Sequence, residues 1–223
     1  MIPAVVIAAG LGTRLRPLTE RYAKPVLPID GQPVISRLLR ELADASCPRA
    51  TVVTGHLADQ IETLLGDGSG FGIELRFVRQ PQPDGSADAV RRAGEEPPYL
   101  VTAADTLFPA GSIAHVAAAT LPAGAIAVRR LPNRVPVRVE DGLVERVRDA
   151  NGPGSLSGAP LWVVGPPVHE RLCVDSAPWE LGNAFQAAID AGERIAGVEI
   201  GATRDLTTPF DLLEQNFPYL GGL

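Results

Sequence analysis

The sequence predicts an α/β fold in which a mixed, mostly parallel sheet lies between two layers of helices. Short apolar runs alternate with segments of helical periodicity, and turn residues separate them. The chain has 223 residues, of which 45% are hydrophobic and 21% are charged. This composition is typical of a globular protein, and the length is sufficient for one domain with a substantial core.

The first half of the chain shows this alternation most clearly. Short apolar runs bounded by turn residues predict strands over 3–8, 50–54, 73–78, 99–103 and 125–129. Apolar residues at helical spacing predict helices near 35–42 and 61–65, and over 86–93 and 112–120. Strands that alternate with helices in this way favour a parallel-rich sheet with helices on both faces.

The pattern changes in the second half. Asp141-Gly142 is a strong turn signal, and it predicts a hairpin of 135–139 with 143–147. A loop over 151–154 follows. Further elements are predicted as a strand over 159–164, a helix over 179–191, a strand over 195–199 and a helix over 209–216 that begins beside Thr207 and Thr208.

Composition and charge exclude several classes of function. The net charge of −6 argues against a nucleic-acid-binding surface, which would be basic. No apolar run approaches the roughly 20 residues that span a membrane. The residues after Met1 lack a basic n-region, so we expect no signal peptide and a cytoplasmic setting. The two cysteines lack CxxC spacing, which indicates neither a zinc site nor a disulfide framework.

Lys24 is the single lysine of the chain, because the other 19 of the 20 Lys and Arg residues are arginine. Arginine is a planar fork and lysine a compact point charge, so the two are not interchangeable at a crowded phosphate. Lys24 follows a loop that contains Gly10 and Gly12, whose backbone N–H groups can approach an anionic oxygen. The dinucleotide fingerprint is excluded, because Leu15 stands where its third glycine belongs, and no P-loop motif is present.

The motif GLGTRLRPLT at 10–19, followed by Lys24-Pro25, resembles the signature loop of the sugar-1-phosphate nucleotidyltransferases, the nucleotide-sugar pyrophosphorylases. Residues 80–89 resemble the segment in which these enzymes hold the base with a Gln and a Gly. Asp105 resembles their strand-end magnesium ligand, and residues 204–213 resemble the second metal-binding Asp with its following helix. The resemblance covers nearly the whole chain.

This resemblance implies a Rossmann-like three-layer α/β/α sandwich with a small β-hairpin acceptor lobe. It implies a single domain over 1–223, with a nucleotide-binding part at about 1–130 and an acceptor-binding part at about 131–223. The implied reaction moves an NMP group from an NTP to a sugar-1-phosphate with Mg²⁺, releases pyrophosphate and gives an NDP-sugar. The implied catalytic residues are Arg14, Lys24, Asp105 and Asp205, with both aspartates as magnesium ligands. The implied nucleotide-binding residues are Ala8, Gly10, Gly12, Thr13, Gln80 and Gly85.

The acceptor side departs from the family pattern. Residues 133–137 lack the glycine found in many members, and residues 146–149 lack a lysine. Arg148 and Glu180 are the candidates for acceptor binding, whereas Arg129 and Arg130 are expected to be a solvated or rim feature rather than an anion site. The expected partners are an NTP and a small phosphate monoester, most simply a sugar-1-phosphate.

Several alternatives stay open at this point. The acceptor could be an alcohol phosphate, as in phosphocholine cytidylyltransferases, or the chain could be a catalytically silent nucleotide-binding regulator. Asp88 replaces the more usual neutral residue of the base-binding helix, which leaves the nucleobase undetermined. The sequence also leaves the oligomeric state open, and any homo-oligomer would use this domain itself.

Overall fold

A computed structural model describes residues 2–119, 121–131, 135–150, 155–174 and 176–217. Its strands are β1 Ala4–Ala8, β2 Pro28–Ile29, β3 Gln32–Pro33, β4 Arg49–Thr54, β5 Glu74–Arg79, β6 Tyr99–Ala103, β7 Thr106–Leu107, β8 Gly124–Arg130, β9 Arg138–Glu140, β10 Leu143–Arg146, β11 Leu156–Val164, β12 Ala196–Glu199 and β13 Arg204–Asp205. Its α-helices are α1 Val34–Asp44, α2 Ala58–Leu65, α3 Ser86–Ala93, α4 Ser112–Ala117, α5 Pro166–His169, α6 Leu181–Asp190 and α7 Pro209–Asn216.

One nine-stranded sheet contains strands from both predicted parts of the chain, in the order β5-β4-β1-β6-β11-β8-β12-β10-β9. The pairs β5–β4, β4–β1, β1–β6 and β8–β12 are parallel, and the other four pairs are antiparallel. It follows that β11 and β10 run against the remaining strands. The predicted mixed, mostly parallel sheet is therefore confirmed.

The sheet has an apolar core on each face because side chains alternate along its strands. Ala4, Val6 and Ala8 of β1 pack in the core that α1, α2 and α4 cover. Val5, between them, packs in the core that α3 and α6 cover. This arrangement confirms the predicted three-layer α/β/α sandwich.

The predicted hairpin forms at the edge of the sheet, where Asp141 and Gly142 both have positive φ, at 49° and 76°. Positive φ at both central residues is what a two-residue type I′ turn requires. The two strands are shorter than predicted, and Leu143 joins the hairpin to β12 opposite Ala196. Three predicted features lie outside the described residues. They are the positions Asn133 and Arg134, where the family glycine is missing, the loop at 151–154 and the helix end at Thr120.

Other elements differ from prediction at their ends. Helix α6 begins at Leu181 rather than Trp179, and α4 ends at Ala117. Helix α7 begins as predicted, with Thr208 in a capping box in which the Asp211 backbone N–H donates to its hydroxyl. Within the described ranges, no helix has the length and apolar character needed to cross a membrane.

Candidate active site

The loop after β1 is held in shape by Gly12 and Thr19. Gly12 has φ of +62°, and the Thr19 hydroxyl donates to its carbonyl at 2.8 Å. A Cβ at Gly12 would lie 2.8 Å from Cγ2 of Thr19 and 3.3 Å from Cβ of Lys24. Both the backbone conformation and the tight packing therefore require glycine. Leu15 is fully buried and anchors the loop, while Arg14 stays exposed.

A cavity of about 260 Å³ opens where this loop meets the carboxyl ends of β1 and β6. Ligands of open α/β sheets bind at this edge. The sequence-predicted residues in its lining are Ala8, Gly10, Gly12, Thr13, Arg14, Lys24 and Asp105. Thr207, which was predicted only as a helix cap, also lines it. The fold thus brings together seven of the predicted site residues, which come from three separate segments of the chain.

Lys24 and Asp105 form an ion pair in this cavity. The Lys24 ammonium group donates to Oδ2 of Asp105, and their side chains are 15% and 23% exposed. Asp105 lies two residues after the end of β6. Its Oδ1 accepts a hydrogen bond from the Thr106 hydroxyl at 3.2 Å. Lys24 lies in a short 3-10 turn that is tied down where the Ala23 N–H donates to Oε1 of Gln60 at 2.8 Å.

Asp205 reaches the same region from the other end of the chain. It pairs with Thr106 across the antiparallel strands β13 and β7, so its backbone lies beside the residue that follows Asp105. Its carboxylate is bound by Arg129, with Nη1–Oδ1 at 3.0 Å and Nη2–Oδ2 at 3.4 Å. The Thr203 hydroxyl also donates to Oδ1 at 2.8 Å.

Arg129 is buried, contrary to prediction. It was expected at a solvated rim, but it is only 6% exposed, because β8 lies between β11 and β12 in the sheet. Arg130, one residue later, is exposed as expected and pairs with Glu199 at 2.8 Å. The apolar run 124–128 before Arg129 could have indicated this burial, since such a run predicts a strand that is buried on both faces.

The two aspartates would make a sparse set of metal ligands. Across the described part of the chain, no group of three or more His, Cys, Asp and Glu side chains is placed to hold a metal ion. Magnesium usually takes one or two carboxylates and completes its coordination with substrate phosphates and water. Asp105 and Asp205 match that number of carboxylates, since Asp105 lines the cavity and the backbone of Asp205 lies beside the residue that follows Asp105.

The predicted base-binding residues Gln80 and Gly85 lie at the same edge, after β5. The Gln80 N–H donates to the Thr54 carbonyl at 2.8 Å, and its side-chain Nε2 donates to the Gly85 carbonyl at 3.1 Å and to Oδ2 of Asp88 at 2.9 Å. Both amide hydrogens of Gln80 thus have acceptors, which leaves its Oε1 as the group that can receive a hydrogen bond.

Asp88 is fully buried at the centre of this segment. Burial opposes its ionisation, but hydrogen bonds from Arg92, Gln80 and Arg91 lower the pKa of its carboxyl below the usual value. Gly85 has φ of +103°, and a Cβ there would lie 2.2 Å from the Trp179 carbonyl oxygen. Asp88, the charged residue that left the nucleobase undetermined, orients the Gln80 amide by accepting its hydrogen bond.

The predicted acceptor residues Arg148 and Glu180 line a second cavity, of about 490 Å³. Oε2 of Glu180 accepts from the Ser86 hydroxyl at 2.6 Å, and that hydroxyl accepts from the Leu181 N–H at 2.8 Å. The other lining residues are mostly apolar: Ile126, Val135, Val137, Val147, Ala159, Pro160, Trp162 and Leu181, with Arg129, Ser157, Gly158 and Gly182.

Comparisons with known proteins identify the family of this chain. Residues 3–132 match the Nucleotidyl transferase family. The glucose-1-phosphate thymidylyltransferase of Streptomyces griseus is 29% identical over 233 residues, covering 96% of this chain and 64% of that protein. The chain therefore spans less than two thirds of the length of this relative.

Two further proteins are similar. The CMP-5′-(3-aminopropyl)phosphonate synthase of Streptomyces rubellomurinus is 33% identical over 155 residues, covering 68% of this chain and 23% of that protein. The solved structure of UDP-glucose pyrophosphorylase from Acinetobacter baumanii has a TM-score of 0.81 at 21% identity, covering 96% of this chain and 92% of that one. At that identity the structural likeness shows the fold alone.

Proposed function

This chain belongs to the nucleotidyl transferase family, and we propose that it is a Mg²⁺-dependent enzyme that moves an NMP group from an NTP to a sugar-1-phosphate. The products are pyrophosphate and an NDP-sugar. The observation that carries the proposal is the meeting of Arg14, Lys24 and Asp105 in one cavity beyond β1 and β6.

In this reaction a phosphate oxygen of the acceptor attacks the α-phosphorus of the NTP. A phosphorus–oxygen bond forms there, and the bond to the β-phosphate breaks, so that the electron pair leaves on pyrophosphate. Little proton transfer is needed, and the protein contributes mainly by positioning the reactants and neutralising charge. The Arg14 fork suits the departing phosphates, and the Lys24 point charge suits the crowded space near the α-phosphate.

Asp105 and Asp205 would hold the magnesium ion, which supplies charge neutralisation at the phosphate oxygens when it is bound. Lys24 and Arg129 already neutralise these two carboxylates within the protein. Magnesium held by these carboxylates would leave Lys24 and Arg129 free to bind phosphate oxygens.

A second acceptor class is favoured by the lining of the larger cavity. Its walls are mostly apolar, with Trp162 on one side and Glu180 as a carboxylate. Such a lining suits an alcohol phosphate or phosphonate that carries an amine, because the amine can pair with the carboxylate while its carbon chain packs on apolar atoms. One relative is named as a synthase of a CMP-aminopropylphosphonate.

The test is pyrophosphate release from each common NTP with Mg²⁺ and a panel of sugar-1-phosphates, alcohol phosphates and aminoalkylphosphonates. We expect release with at least one pair, which identifies both the base and the acceptor. Nucleotide binding without release across the whole panel would contradict the enzymatic proposal and favour the regulatory alternative.

A further inference from the structure

Arg129 is a buried cation whose hydrogen bonds are incomplete. Its terminal nitrogens bind the Asp205 carboxylate, but its Nε is the one buried side-chain nitrogen or oxygen in the described ranges that has no hydrogen-bond partner. A buried donor without a partner is unfavourable, and such groups in native proteins call for an explanation. Because Arg129 also lines the larger cavity, a ligand in that cavity is the natural missing partner.

The other cations near the two cavities are poorly suited to bind the acceptor's phosphate. Lys24 and Arg14 line the smaller cavity with the glycine loop, and neither lines the larger one. Arg148 lines the larger cavity but is solvent-exposed, so water screens its charge. Among these four residues, only Arg129 is both buried and in the lining of the larger cavity.

We propose that Arg129 is the ligand for the phosphate or phosphonate group of the acceptor. This inference rests on the proposed function and deepens it by naming the acceptor's anchor. The planar guanidinium group can donate two parallel hydrogen bonds to such an anion, and the free Nε supplies one of them. Apolar neighbours such as Ile126 and Trp162 lower the local dielectric and strengthen the interaction.

The position of Arg129 also suits the reaction. It lies on β8, a central strand, and the Ser157 hydroxyl donates to its backbone carbonyl at 3.4 Å. Its guanidinium group contacts Asp205, whose backbone lies beside Thr106. A phosphate held by Arg129 therefore lies next to a proposed magnesium ligand, on the side of the larger cavity.

The alternative is that Arg129 serves only to neutralise Asp205. Binding of inorganic phosphate, followed by isothermal titration calorimetry, separates the two roles without any turnover. The measurements use an Arg14→Met background, which weakens phosphate binding by the glycine loop. Adding Arg129→Met leaves the half-buried Asp205 carboxylate without its cation, so this single variant can also perturb folding.

The decisive comparison is therefore the pair Arg129→Met and Asp205→Asn together. This double change removes one positive and one negative charge and leaves the net charge unchanged. We expect phosphate affinity to fall at least tenfold in this background. The matched control is Arg130→Met with Glu199→Gln, which removes the neighbouring exposed ion pair and should leave the affinity within about twofold.

Unchanged phosphate affinity after the Arg129 and Asp205 changes would overturn the inference, and so would an Arg14→Met protein that binds no phosphate. Either result leaves the pyrophosphate-release test of the proposed function untouched. Where that test finds a substrate pair, Arg129→Lys should raise KM for the acceptor at least tenfold and leave KM for the NTP within about twofold. Equal increases in both KM values would also overturn the inference.

Discussion

The ammonium group of Lys24 donates a hydrogen bond to the carboxylate of Asp105, although the two residues are 81 positions apart in the chain. The pair fixes the position of the single lysine inside the cavity that the glycine loop surrounds. A lysine that is oriented by a proposed metal ligand can act as a fixed point charge beside the reacting phosphates. An arginine at this position would keep the positive charge but would not place it in the same way.

Lys24→Arg is therefore expected to reduce kcat by about 100-fold, as for the loss of one preorganised charge donor. The guanidinium fork is larger, and the Lys24 Cβ already packs closely beside Gly12. Steady-state pyrophosphate release measures the effect. Arg194→Lys, at an exposed arginine, is the control and should keep wild-type rates. Wild-type rates from Lys24→Arg would show that charge suffices and position does not matter.

Asp88→Asn should weaken the choice of nucleobase. An asparagine can donate as well as accept, so the Gln80 amide could turn and present its NH₂ group to the base in place of Oε1. The ratio of kcat/KM between the best and second-best NTP is expected to fall about tenfold, within the range known for base-reading hydrogen bonds. The control is Asp84→Asn, in the same segment, which should leave this ratio unchanged. If Asp88→Asn also left the ratio unchanged, a role for Asp88 in base choice would be refuted.

Gly85→Ala should destabilise the protein and weaken nucleotide binding. The backbone there has φ of +103°, and the new Cβ would lie 2.2 Å from the Trp179 carbonyl oxygen, so the backbone must move. We expect a loss of about 2 kcal/mol in the free energy of unfolding. Urea denaturation measures it. Gly70→Ala, where nothing lies within 4 Å of the added Cβ, should change stability little; equal effects at both sites would contradict the steric argument.

Glu95→Gln should cost stability in a pH-dependent way. The buried Glu95 carboxylate accepts from Arg49 at 2.7 Å and from the Thr51 hydroxyl at 2.7 Å. Burial opposes ionisation, but these hydrogen bonds lower the pKa of Glu95 below its usual value. A lowered carboxyl pKa contributes stability above the unfolded-state pKa of about 4.3, and this stability is lost as the pH falls through the folded-state pKa.

The difference in unfolding free energy between the wild type and Glu95→Gln is thus expected to be about 2 kcal/mol at neutral pH. It should shrink as the pH is lowered below about 4, where the carboxylate of the unfolded wild type is protonated. Urea titrations at several pH values test this. Glu96→Gln, at the exposed neighbour, should show no such trend, and a constant difference for Glu95→Gln would disprove the proposed linkage.

Local patterns predicted much of the fold, because strands and helices depend on residues close in sequence. The bounds of α3 and β6 match prediction, and the Asp141-Gly142 turn forms as expected. The convergence of the glycine loop, Lys24 and Asp105 was also predictable, since each follows a recognisable local motif and all three lie at the carboxyl ends of parallel strands. Helix α5 was not predicted, because four residues that begin with two prolines carry no helical periodicity.

The contact between Arg129 and Asp205 could not be predicted. Arg129 and Asp205 are 76 positions apart, and their contact depends on where β12 and β13 lie relative to β8. An arginine near the end of an apolar run can be solvated or buried, and the neighbouring strands determine which. The sequence was therefore sufficient for most strands and helices of the main sheet and for the convergence of Arg14, Lys24 and Asp105 at its edge. The burial of Arg129 and its place in the lining of the larger cavity required the assembled sheet, because burial depends on neighbouring strands that sequence spacing does not specify.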